Sequence, residues 1–117
     1  KADTSVFIGN TTVTWATVTT SAVTANQTIA SFSLTGLDIT GVEWLVKGVD
    51  SSGSKYSVAT VQSVTDGTNV DYTTYGTVQL GGYTGSLAVN IVGSTIRLQV
   101  TPASSNSTVW TTQYRLI

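Results

Sequence analysis

In Thr95-Ile96-Arg97-Leu98-Gln99-Val100-Thr101-Pro102, apolar and polar residues alternate without a break. A period of two puts successive side chains on opposite faces of an extended chain, so Ile96, Leu98 and Val100 share one face and Thr95, Arg97 and Gln99 the other. One dry face and one wet face mark a strand lying over a core in an antiparallel sheet. Pro102, the chain's one proline, lacks the N–H a ladder needs, so it closes the strand and opens the loop Ala103–Asn106.

The pattern extends in both directions. Upstream, Val92-Gly93-Ser94 reads as a tight turn joining this strand to Leu87–Val92, and Ser107–Ile117 follows the loop. Ala30, Phe32 and Leu34 alternate with Ser31 and Ser33 in the same way. The periodicity predicts strands over Thr4–Ile8, Thr11–Thr20, Thr28–Leu34, Val42–Asp50, Lys55–Thr65 and Val70–Leu80, with Ser51-Ser52-Gly53 and Asp66-Gly67 as hairpin turns and Gly81-Gly82 opening a longer loop. No window holds helical spacing. The expected fold is all-β: one antiparallel β-sandwich over residues 1–117, of jelly-roll or immunoglobulin-like kind. Residues 1–20 are the least patterned and are expected to form an N-terminal arm or inter-subunit strand.

Composition points the same way. Thr and Ser make up about a third of the 117 residues, while charged residues make up 9%; about a quarter is usual. Hydroxyls and amides must therefore solvate the surface, and Thr also favours strands. A net charge of −1 without a basic stripe argues against nucleic acid, and no apolar run is long enough for a membrane-spanning helix. Without cysteine there is neither a disulfide framework nor a thiolate metal site. Lys1, with no Met before it, suggests a domain excised from a longer polypeptide or a processed mature chain.

The absence of histidine removes the commonest general base, nucleophile partner and metal ligand together. Among the six carboxylates, Asp66, Asp71 and Asp50 could gather at one end of a sandwich, and a glycosidase needs only two carboxyl groups. Asp66 precedes Gly67, however, where an Asp side chain caps a turn. Asp66-Gly67-Thr68-Asn69-Val70-Asp71 offers oxygens at spacings loosely like a calcium loop but lacks the distal bidentate Glu. The sequence thus predicts no catalytic, cofactor-binding or metal-binding residue. Trp44, between Val42 and Val46, reads as core, and Trp110, Tyr114 and Leu116 share one face of the last strand. Tyr83, in the glycine loop, is the aromatic expected to be exposed. Tyr83, Tyr75, Asp66 and Asp71 are the candidate surface-contact residues. The sequons at Asn10, Asn26 and Asn106 are what chance gives in so Ser/Thr-rich a chain.

A wider pattern spans Trp44 to Ile117. It runs Trp44-Leu45-Val46-Lys47-Gly48-Val49-Asp50, Lys55-Tyr56, Thr65-Asp66-Gly67-Thr68, Tyr75-Gly76, then Arg97-Leu98-Gln99-Val100-Thr101-Pro102, and closes on Arg115-Leu116-Ile117. This resembles a C-terminal module of virion structural proteins from marine tailed bacteriophages, particularly those of cyanobacteria. The family often has His at the position of Thr65 and Tyr at that of Trp44, and the first forty residues match nothing in it. The resemblance rests on framework residues, so it implies an architecture rather than an activity. It implies a non-enzymatic virion component on the particle surface: a tail or neck fibre domain, or a head decoration protein, in contact with the host. Its implied partners are copies of itself, with a homotrimer favoured, other virion proteins, and a host-surface glycan. The alternative is a carbohydrate-binding module of a secreted protein or adhesin.

Overall fold

The computed structural model describes residues 4–8, 11–37 and 40–117. Nine strands account for most of them: β1 (Thr4–Ile8), β2 (Thr11–Thr20), β3 (Gln27–Ser33), β4 (Gly41–Asp50), β5 (Lys55–Thr65), β6 (Val70–Leu80), β7 (Gly85–Val92), β8 (Thr95–Pro102) and β9 (Thr108–Leu116). Every pairing is antiparallel. One sheet has six strands in the order β1-β2-β9-β4-β5-β6, and the other has three in the order β3-β8-β7. The architecture is the antiparallel sandwich that the alternation predicts. Of residues 1–20, expected to act as an arm or inter-subunit strand, residues 1–3 and 9–10 lie outside the described residues, and the rest pair within this chain, β1 on β2 and β2 on β9.

The dry faces meet as the sequence says they should. Ile96, Leu98 and Val100 of β8 are fully buried, and they pack with Ile29 and Val89 against Val42, Trp44, Val46, Val61, Trp110 and Tyr114 of the large sheet. Phe32 stacks on Tyr114 at 5.0 Å between ring centroids and lies 5.9 Å from Trp44, so three rings bridge the two sheets. Such pairs add about 0.5–1.5 kcal/mol beyond the area they bury. The hydroxyls reach into this core too. Trp44 Nε1 donates to Ser63 Oγ at 2.9 Å, and Trp110 Nε1 donates to Thr20 Oγ1 at 2.9 Å. Both buried indoles are thereby satisfied, as a dry interior demands.

Three strands cannot cover six. The small sheet lies over the middle of the large one, and β6 is exposed along nearly its whole length. Between β6 and the start of β7, beside Tyr83, lies a recess.

Candidate ligand-contact surface

The recess has a volume of about 310 Å³. Thr74, Thr77 and Gln79 of β6 form one wall, and Tyr83, Thr84 and Ser86 from the β6–β7 loop and β7 form the other. Its floor is apolar, made by Val46, Ala59, Leu87 and the indole of Trp110. No charged side chain lines it. Tyr83 is half exposed at the rim, as the glycine loop around it predicts. That loop is fixed by a close approach of backbone: Gly81 has φ +83°, and a Cβ there would lie 1.9 Å from the carbonyl oxygen of Ser54. Thr84, beneath Tyr83, is held by a hydrogen bond with the Ser57 hydroxyl. A flat ring beside uncharged hydroxyls and an amide suits a neutral, hydroxyl-bearing ligand.

The other candidates lie elsewhere. Asp66 sits in the β5–β6 turn, where Oδ1 accepts from the Thr68 N–H at 2.9 Å and the Asn69 N–H at 2.7 Å, while Oδ2 takes the Asn69 side-chain amide at 3.3 Å. The Asn69 and Thr68 N–H groups hold its carboxyl below the ordinary carboxylate range. This is the turn cap that Asp-Gly predicts, and it leaves an ionised acceptor where a general acid would need a raised pKa. Thr65 Oγ1 reinforces the turn by donating to the Asn69 carbonyl and accepting from the Gly67 N–H. Asp71 pairs across to Val64 on the outer face of the large sheet, and its Oδ1 accepts from the Tyr72 N–H. Among the described residues no three acidic side chains come together as a metal site would need.

Asp50 does not join Asp66 and Asp71. It ends β4 opposite Lys55, whereas Asp66 follows β5 at the far end of the same hairpin, where Gly41 faces Val64. Ten residues of strand separate the two ends, roughly 33 Å. Asp50 is instead a buried tie between loops: it accepts from the Gly53 N–H at 2.9 Å, Asn106 Nδ2 at 3.2 Å and Ser104 Oγ at 3.2 Å. The Gly53 N–H does most to lower its pKa, against the opposing effect of burial, and Asn106, Ser104 and Lys55 add to the lowering. Only a carboxylate standing immediately before Ser51-Ser52-Gly53 hinted at this role.

Tyr75 stands on the outer face, where its hydroxyl donates to Glu43 Oε2 at 3.3 Å. Glu43 Oε1 meets Arg115 Nη2 at 2.7 Å. Burial, then the charge of Glu43, pushes the Tyr75 phenol above its ordinary pKa. Tyr83 and Asp66 lie at opposite ends of β6, with Tyr75 midway, so the four predicted contact residues do not form one site. Thr74, Thr77 and Gln79, which line the recess with Tyr83, carried no signal of their own in a strand with little apolar alternation.

No family model matches the chain, and no curated protein matches it. Among solved structures it is similar to a tailspike protein, gp49, of the Acinetobacter baumannii bacteriophage Fri1, a capsular polysaccharide depolymerase, with a TM-score of 0.55 and 10% sequence identity. The similarity covers 97% of this chain and 19% of the tailspike, so the chain spans about a fifth of that protein's length. At that identity the likeness is one of fold: this sandwich also occurs as a part of a phage tailspike.

Proposed function

We propose that this chain is a non-enzymatic structural module on the surface of a bacteriophage particle, in a tail or neck fibre or decorating the head. The observation that carries the reading is the fold, shared over 97% of this chain with part of a phage tailspike. The resemblance to virion modules over Trp44–Ile117, read from different features, supports it. The chemistry is in keeping. Asp66 and Asp50 are tied by turn and loop donors, and the buried hydroxyls of Ser63 and Thr20 answer indole N–H groups. Copies of the chain, as a trimer, and neighbouring virion proteins are its partners. Gold-labelled antibody against this chain, applied to purified particles under the electron microscope, tests the reading. Discrete labelling of tail, neck or head is expected; particles that stay unlabelled while free secreted protein reacts would contradict it.

A second reading, a carbohydrate-binding module, is favoured by one feature, the uncharged recess beside Tyr83. A glycan array separates the two. Binding of one neutral saccharide that Tyr83→Ala abolishes, by a chain absent from particles, would establish the second in place of the first.

A further inference from the structure

The outer face of the large sheet can be read row by row from its pairing register. One row runs Val109, Val49, Tyr56 and Leu80 across β9, β4, β5 and β6, and the next runs Thr111, Lys47, Val58 and Val78. On a sheet with solvent on one side such rows are polar. Here Leu80 is 70% exposed and Val78 68% exposed, and nine of the fifteen large hydrophobic side chains exposed among the described residues stand on this one face. Among the described residues nothing covers it, since the small sheet packs on the other side.

We propose that a second copy of this chain packs on this face, burying the corner formed by Val49, Tyr56, Val58, Val78, Leu80 and Val109. Five strands about 4.8 Å apart and about ten residues long make a face of roughly 800 Å². A copy packed over the whole face, with this corner as its apolar part, would bury about what one partner contributes to an interface of standard size. The charges allow a copy to approach. Glu43 and Arg115 pair with each other, and Lys47 and Asp71 balance, so the face carries no net charge to repel its like. The contact is face-on rather than edge-to-edge. The register of β6 against β5 shifts between Val58 and Thr60, opposite Gly76 with φ +63°, and such a bulge spoils the straight ladder that edge pairing needs.

The surface deepens the particle-module reading, which has copies of the chain as partners, and its test is independent of antibody labelling. Sedimentation velocity on the chain at tens of micromolar should give a multiple of the 12.2 kDa monomer mass. Val58→Lys with Leu80→Glu should return it to the monomer, with circular dichroism and cooperative thermal melting retained. Val92→Glu, at an exposed site on the small sheet, should leave the oligomer intact. A wild-type chain that sediments as a monomer overturns the proposal, and so does an oligomer that survives the paired outer-face changes. Should the paired variant fail to fold, Val78→Lys alone, at a side chain mostly in solvent, reads the same outcome.

Discussion

Trp44 and Trp110 each bring an indole N–H into the dry interior, and a single hydroxyl answers each of them. Removing the answer should cost more than the hydrogen bond itself. Ser63→Ala strands the Trp44 N–H and is expected to lower stability by about 1–3 kcal/mol. Thr112 is the converse case. Its Oγ1 is buried without a partner, so Thr112→Val, which keeps the shape, should raise stability by about 1 kcal/mol. Urea midpoints for the two variants, expected to move in opposite directions, check both. At residue scale the apolar half of this core was legible and the polar half was not. Alternation alone marks Trp44 as buried, but its partner lies 19 residues away on the next strand, and one Ser among so many carries no mark. The carboxylates set an acid limit. Asp50 and Asp66 have folded-state pKa values lowered by N–H donors, so their contribution is full above about pH 4 and fades as pH falls through the lowered values. The melting temperature should therefore drop between pH 5 and about pH 2, and less steeply in Asp50→Asn.

The β4–β5–β6 meander and its turns were the elements most open to sequence reading, because each pairs with its neighbour in the chain. Lys55–Thr65 and Val70–Leu80 are found with the predicted bounds, and most other strands differ by a residue or two. What the sequence withheld was partnership at a distance. β9 inserts between β2 and β4, and β3 pairs with β8, joining segments with no local sign of each other. The uneven split into six strands and three was hidden for the same reason. So was the β6 bulge at Gly76. Glycines show how tightly these elements are fitted. Gly67 and Gly81 both have positive φ, but only Gly81 faces backbone where a Cβ would stand. Gly67→Ala should cost the roughly 1–2 kcal/mol of a left-handed residue, and Gly81→Ala should cost clearly more. Gly48, on β4, presents its open side to Trp110, whose ring would lie 2.5 Å from an added Cβ. Gly48→Ala therefore overpacks the core and should lose about 1–3 kcal/mol. Thermal melts of the three variants give the comparison.

For the molecule as a whole, six strands face three across the core. On the inner side lies the recess beside Tyr83, and Tyr83→Ala there should leave stability nearly unchanged, since the ring is half exposed. On the outer side, which the small sheet does not face, an apolar sheet surface stands uncovered by any described residue. A domain with so little charge, with short tied loops and with two buried hydroxyls answering its core indoles, is suited to standing in an assembly. The most direct measurement is quantitative mass spectrometry of density-purified particles from the genome that carries this reading frame. The account predicts peptides of this chain at a fixed multiple-copy ratio to the major capsid protein, retained through a high-salt wash. Peptides found only in the particle-free supernatant would contradict it.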